Sequence, residues 1–189
     1  MLAMTRPTRR VQQMGVTLLE LAIVMTIVGI LAVVAVPSIV DRWQRATVIL
    51  LAEQFASAVS LARATAQYQH VQVHLRPQHG LADWSAGWEV VSSPPADTPD
   101  KTSKPTQEIL WSTSPTIPPT VHITSNFPDD TFSFAPVGYS RTSNGAFLSG
   151  TLTITSGRHT RSVTINDVGR ARICDPSTNT NCTATGDTP

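Results

Sequence analysis

The chain has 189 residues, which is enough for one modest domain and one further element but hardly for two independent domains. The formal net charge of +1 excludes neither a nucleic-acid partner nor a membrane. The charges are unevenly placed, because Arg6, Arg9 and Arg10 precede a long apolar run, whereas all 13 acidic residues lie at or after Glu20. This asymmetry predicts that the basic N-terminal end stays in the cytoplasm.

Residues 16–40 form an apolar run with a single ionisable residue, Glu20. As a helix, the run is long enough to cross a hydrocarbon core of about 30 Å. A secretory signal peptide has a shorter apolar part, of roughly 7–15 residues, followed by a small-residue cleavage site. Here the suggestive small residue, Gly15, precedes the run. The pattern therefore predicts a helix that spans or docks in a bilayer.

Glu20 needs an explanation, because a carboxylate costs about 2.5–3.5 kcal/mol at the bilayer centre and less near the interface. If the chain is cut after Gly15, the new α-amino group belongs to Val16. The amine of a neighbouring subunit could then pair with Glu20 and fix the axial register of a polymer. The alternative is that Glu20 lies at the membrane interface, where its side chain reaches water.

The stretch GVTLLE at residues 15–20, followed by the apolar run, resembles the type IV prepilin signature. The resemblance implies that a prepilin peptidase cuts between Gly15 and Val16 and methylates the new N-terminus. Glu20 is then the fifth mature residue, and residues 1–15 are a leader. Val16 departs from the pattern, since the first mature residue is usually phenylalanine.

A second stretch of helix is predicted over residues 41–70, where apolar residues recur at steps of three or four. It is expected to continue the membrane segment to about Gln69. A kink or local melting is expected near Pro37, where an amide donor is missing. The apolar stripe that needs a cover comprises Val48, Leu51, Phe55, Val59, Ala62 and Ala66.

Residues 71–189 are predicted to form a β-rich domain, because short alternating runs replace the helical pattern. A first sheet is predicted from the runs 71–76, 87–91, 109–113 and 121–125. A second sheet is predicted from the runs 132–134, 151–155, 161–166 and 170–174. The segments 92–107 and 112–120, rich in Pro, Ser and Thr, are expected to be exposed loops.

Two cysteines occur, Cys174 and Cys182, and they suit a disulfide in an oxidising compartment. The alternative is a pair of free thiols in a frayed tail. A zinc site needs more ligands than this tail offers, and the histidines show no ligand spacing on a predicted helix. We predict no metal, no cofactor and, since no nucleophile with a partnered base is evident, no enzyme.

The order of four segments resembles the FimT/GspH family of minor pilins and pseudopilins, namely GWEVV at 87–91, FAPVG at 134–138, GTLTI at 150–154 and VTINDVGRARIC at 163–174. The resemblance implies an α+β, type IV pilin-like fold, with a long N-terminal α-helix packed on a small C-terminal antiparallel domain of two sheets. It also implies a single-pass protein of the bacterial inner membrane with a periplasmic C-terminal domain. Its partners would be other pilin or pseudopilin subunits in a pilus or pseudopilus.

The C-terminal part is locally basic, because residues 141–174 contain five arginines and one acid, whereas residues 76–140 contain three basic and seven acidic residues. Strand alternation predicts Arg170 and Arg172 on the solvent face, about 6.6–7 Å apart, with Ala171 and Ile173 on the core face. That spacing is comparable with the spacing of successive phosphates on a nucleic-acid strand.

Arg158 and Arg161, on the preceding hairpin, are predicted to extend this patch, and Gly169 to let a polymer backbone come close. The alternative is that the arginines only solvate a sheet edge and discourage pairing with other chains.

The family resemblance adds a function to the patch. FimT-like minor pilins are associated with DNA uptake in natural transformation, and a GRxR motif is implicated in DNA binding. Gly169, Arg170 and Arg172 match that motif position by position. Such binding is expected to be sequence-independent and salt-sensitive. The alternative function is a GspH-like pseudopilin, a structural subunit of the type II protein secretion system, which needs no such patch.

Overall fold

The structure, a computed structural model, describes residues 17–78, 82–92, 108–142, 145–179 and 182. The predicted cleavage site at Gly15 and Val16 lies outside the described residues, as does most of the segment 92–107. The chain divides into two compact units between Val40 and Asp41.

Helix α1 spans Leu18–Gln69, which confirms the predicted end of the helix. His70 follows in the left-handed region with φ 55°, a conformation typical of the residue after a helix. The helix continues through Pro37, so the predicted local melting is wrong. A proline removes a single amide donor, and the hydrogen bonds on either side of it continue the helix.

The part of α1 in the first unit is apolar and exposed. Every side chain described between Leu18 and Val40 is exposed, and α1 is long and apolar enough to cross a membrane. A helix that is hydrophobic all round needs an apolar surrounding, which here is a bilayer or neighbouring helices.

Nine strands follow in the part of the chain that the structure describes. They are β1 Val73–Pro77, β2 Trp88–Ser92, β3 Ile109–Thr113, β4 Val121–Ser125, β5 Phe132–Phe134, β6 Ser140–Arg141, β7 Gly150–Ser156, β8 His159–Ile165 and β9 Ala171–Cys174. They form a five-stranded sheet in the order β3-β2-β1-β5-β6 and a four-stranded sheet in the order β4-β7-β8-β9. All pairings are antiparallel.

The two predicted sheets are confirmed, but two strands belong to the other sheet. β4 pairs with β7 in the four-stranded sheet, and β5 pairs with β1 in the five-stranded sheet. Alternation identifies a strand but carries no information about its partner, which packing decides. The segment 112–120 is not wholly an exposed loop either, because Ser112 and Thr113 belong to β3 and Ile117 packs against the core.

The second half of α1 shares one core with both sheets. All six residues of the predicted stripe are buried, which confirms it. Phe55 lies at the centre, with the rings of Trp84 and Trp88 edge-on to it at centroid distances of 5.8 and 5.3 Å. The sheets therefore supply the cover that the amphipathic helix requires.

Candidate nucleic-acid interface

The predicted basic patch begins in the turn that joins β8 to β9. The Asn166 N–H donates to the Arg170 carbonyl at 3.1 Å, and the Gly169 N–H donates to the Asn166 carbonyl at 2.9 Å. The Asn166 side-chain oxygen accepts from the Arg170 N–H at 2.8 Å. The turn is therefore internally bonded and presents Arg170, which is exposed, in a fixed position.

The backbone conformation and the close packing at position 169 require a glycine. Its φ of 76° lies in the left-handed region, and a Cβ there would lie 2.6 Å from Cε1 of Phe134 and 3.2 Å from the Gly138 carbonyl oxygen. The side of Gly169 on which other residues carry a side chain therefore faces Phe134. This corrects the expectation that the glycine admits a polymer backbone from outside.

The alternation predicted for β9 is present in its pairing with β8. Ala171 and Ile173 pair with the core residues Ile165 and Val163, so they share the core face, and Arg172 lies on the opposite face. Ile173 is nevertheless 38% exposed, because β9 is the edge strand of its sheet. Arg172 is half-buried.

The structure does not bring Arg158 and Arg161 to the Gly169 turn. Arg158 lies in the turn between β7 and β8, at the other end of β8. The seven residues of β8 separate the two turns by about 20 Å. Arg161 pairs with Ile154 across the sheet, which puts it on the face opposite Arg172. The four arginines therefore form two separate groups, because a hairpin places its successive turns at opposite ends.

Arg158 and Arg161 are each paired with a carboxylate. Arg158 Nη2 lies 2.7 Å from Asp41 Oδ2, and Arg161 forms an ion pair with Asp175. Hydrogen bonds from Arg158 and then His159 hold the pKa of Asp41 below its usual value. Both carboxylates are therefore charged at neutral pH and compete with a phosphate for these two arginines.

The hydroxyl and N–H of Ser177 are the main cause of the lowered pKa of Asp175. Asp175 directly follows Cys174, which ends β9 and is joined to Cys182 by a disulfide with a Cα–Cα distance of 5.9 Å. The bridge and the Ser177 contacts together hold Asp175 next to Arg161.

Glu20 lies exposed in the first turn of α1. Its backbone N–H donates to Thr17 Oγ1 at 3.2 Å, so Thr17 caps the helix. Thr17 followed three residues later by Glu20 matches the capping-box pattern, a signal that the sequence reasoning missed. Val16, whose amine was predicted to pair with Glu20 of another subunit, lies outside the described residues.

No group of three or more His, Cys, Asp or Glu within the described residues could hold a metal ion.

A long helix with an exposed apolar first half, packed through its second half on two antiparallel sheets, defines a type IV pilin-like, membrane-anchored subunit. The family model described as "Type II transport protein GspH" matches residues 51–169, more than half of the chain, so the chain belongs to the GspH family. As a member of that family it is a pilin-like structural subunit that assembles with other pilin-like subunits, rather than an enzyme.

Two solved structures illustrate the likeness. The type IV minor pilin FimU of Pseudomonas aeruginosa (strain PAO1) matches with 16% identity and a TM-score of 0.50, over 70% of this chain and 92% of that one. The minor pseudopilin EpsH of the type 2 secretion system of Vibrio cholerae matches with 14% identity and a TM-score of 0.48, over 68% of this chain and 97% of that one. At such identities, the FimU likeness shows the fold alone. No curated protein matches the sequence.

Proposed function

We propose that the chain is a minor pilin of a type IV pilus that binds DNA without sequence preference, for uptake in natural transformation. The observation that carries the proposal is Arg170, exposed on an internally bonded turn and followed by Arg172 on the edge strand β9. Within the described ranges, no carboxylate forms an ion pair with Arg170. Its guanidinium is therefore available to a phosphate without first breaking an internal pair.

The proposed interface consists of Arg170 and Arg172, with Gly169 setting the turn, and it excludes Arg158 and Arg161. Two arginines neutralise few phosphates, so one subunit should bind weakly and lose affinity as the salt concentration rises. Several binding sites along one DNA molecule would raise the apparent affinity through avidity.

The proposal includes processing and assembly. A prepilin peptidase cuts between Gly15 and Val16 and methylates the amine of Val16. In the filament that amine lies beside Glu20 of the next subunit, so both charges are paired away from water. Residues 16–40 cross the inner membrane, with the N-terminus in the cytoplasm and residues 71–189 in the periplasm. The place of Glu20 in the first turn of α1 is compatible with this pairing, because a carboxylate near a helix N-terminus is favourable both in the single subunit and in the filament.

The test is DNA binding by the full-length chain in nanodiscs of phosphatidylcholine, followed by fluorescence anisotropy of a labelled oligonucleotide. The Arg170→Ala, Arg172→Ala double variant should bind about tenfold more weakly at low salt. Its plot of log affinity against log salt should be shallower by about 2, as expected for two lost phosphate contacts. The matched control is Arg42→Ala, Arg45→Ala, which removes the same charge from exposed positions on α1.

Equal losses in both double variants would show diffuse electrostatics rather than a site. If the wild-type chain does not bind at low salt, even when many copies share one bead, the DNA proposal fails. A GspH-like structural role in type II secretion would then be the better account.

A further inference from the structure

Arg158 and Arg161, which the DNA proposal does not use, line a separate basic groove. The groove has a volume of about 390 Å³. Its lining includes Arg45 from α1, Arg158 and Arg161 from the β7–β8 hairpin, and Asp175 from the segment after β9.

The groove is held against the residues of α1 that directly follow the apolar run. Asp41, the first residue after the run, accepts from Arg158 at 2.7 Å and contacts His159 Nε2 at 2.9 Å. The turn between β7 and β8 also packs closely against α1, because a Cβ on Gly157 would collide with the side chain of Gln44. These contacts fix the arginines of the hairpin beside the first turns of α1 after Val40.

The groove includes a residue that the chain itself keeps near the end of the predicted membrane segment. Arg45 lies five residues after Val40, a rise of about 7.5 Å along the helix. The headgroup layer on each side of a bilayer is roughly 5–8 Å thick. Trp43, which lies between Val40 and Arg45 in the sequence, is 61% exposed, and exposed tryptophans are typical of the boundary between lipid and water.

The charges of the groove favour an anion. Three arginines, at 45, 158 and 161, face the carboxylates of Asp41 and Asp175. No carboxylate among the described residues pairs with Arg45. The Arg158 side chain is 76% exposed although it is paired with Asp41, so most of its N–H donors point to solvent.

We propose that this groove binds the phosphate of an anionic phospholipid headgroup, such as phosphatidylglycerol, in the leaflet where α1 leaves the membrane. Arg45 and Arg158 hold the phosphate oxygens, while the Asp41 and Asp175 pairs fix the hairpin in position. The same phosphate chemistry occurs in DNA, but Trp43 and the adjacent apolar run favour lipid over a polymer in solution. The inference rests on insertion of residues 16–40 and not on DNA binding.

The test uses Trp43 as a reporter in the full-length chain reconstituted in phosphatidylcholine bilayers. Brominated phosphatidylglycerol or brominated phosphatidylcholine is added in equal amounts, and tryptophan quenching gives their relative association. Trp84 and Trp88 are 2% exposed and contribute a constant background. A Trp111→Phe background removes the remaining exposed tryptophan. We expect an about fivefold preference for phosphatidylglycerol at low salt.

Arg45→Gln should reduce that preference to about twofold or less, because it removes a lining charge without breaking any ion pair described. Arg158→Gln should do the same, and its unfolding temperature shows whether the hairpin has remained in place. Arg42→Gln, an exposed charge outside the groove, should retain most of the preference. The Arg170→Gln, Arg172→Gln double variant should also retain most of the preference.

The proposal is overturned if the wild-type chain shows no preference, or if Arg42→Gln loses as much as Arg45→Gln. Loss of the preference in inorganic phosphate, compared with chloride of equal ionic strength, would assign the groove to free phosphate instead. Loss of the preference on adding an oligonucleotide would assign the groove to nucleic acid. Because the DNA site is tested by removing Arg170 and Arg172 in zwitterionic lipid, either proposal can fail without the other.

Discussion

At the scale of single residues, Gly169 decides whether the turn that carries Arg170 can form. Gly169→Ala adds left-handed strain and a Cβ in contact with Phe134, so we expect a loss of about 2–4 kcal/mol in unfolding free energy. Urea unfolding measures this loss in unfolding free energy. The matched control is Gly145→Ala, where φ is also positive, at +85°, but no atom lies within 4 Å of the added Cβ. Equal losses in the two variants would show that the contact with Phe134 contributes nothing.

His74 should make the stability of the domain depend on pH. Its Nδ1 lies 2.8 Å from Ser133 Oγ, and burial lowers the pKa of His74 below 6.5. The unfolded chain then binds more protons than the folded chain below pH 6.5, so stability falls as the pH falls through that value. His74→Gln should remove this part of the pH dependence. Unfolding midpoints between about pH 5 and 8 that run parallel in both proteins would contradict the assignment.

At the scale of elements, the packing of α1 on the sheets depends on Phe55. Phe55→Ala removes a fully buried ring that contacts two tryptophans, so we expect a loss of about 3–5 kcal/mol in unfolding free energy. Leu61→Ala on the same helix is the control, because Leu61 is 40% exposed and should cost far less. Similar losses in both variants, measured by chemical denaturation, would show that the apolar stripe is not the main contact.

The elements also show which parts of the fold could be read from the sequence. The end of α1 and its buried stripe follow from local periodicity, and the strands follow from alternation. The exchange of β4 and β5 between the sheets could not be predicted, since strand pairing depends on packing between distant segments. The short strand β6 was also missed, because its two residues carry no periodic signal.

The candidate site was predictable only where its residues are adjacent in the sequence. Gly169, Arg170 and Arg172 lie on one turn and one strand, so their proximity needs no knowledge of the fold. The predicted addition of Arg158 and Arg161 assumed that neighbouring hairpin residues are neighbours in space. The two turns lie at opposite ends of β8, and Arg161 faces the other side of the sheet from Arg172. Asp41, which holds Arg158, is 117 residues away in sequence and gave no signal.

At the scale of the whole molecule, the two arginine groups are proposed to serve different polyanions. Arg170 and Arg172 lie at the β8–β9 turn, and Arg45 and Arg158 lie beside the start of the second compact unit. The first group is proposed to bind DNA and the second a lipid headgroup. The Arg170, Arg172 double variant therefore serves as a control in the lipid experiment.

We propose that this chain is incorporated into a pilus through the first half of α1. The most direct measurement is the amount of the chain in filaments sheared from cells that make it, compared with the amount left in the membrane. We predict that the wild-type chain, shortened by residues 1–15, is present in the sheared filaments, and that Glu20→Ala remains in the membrane. Filaments that contain the major subunit but none of the wild-type chain would contradict the account.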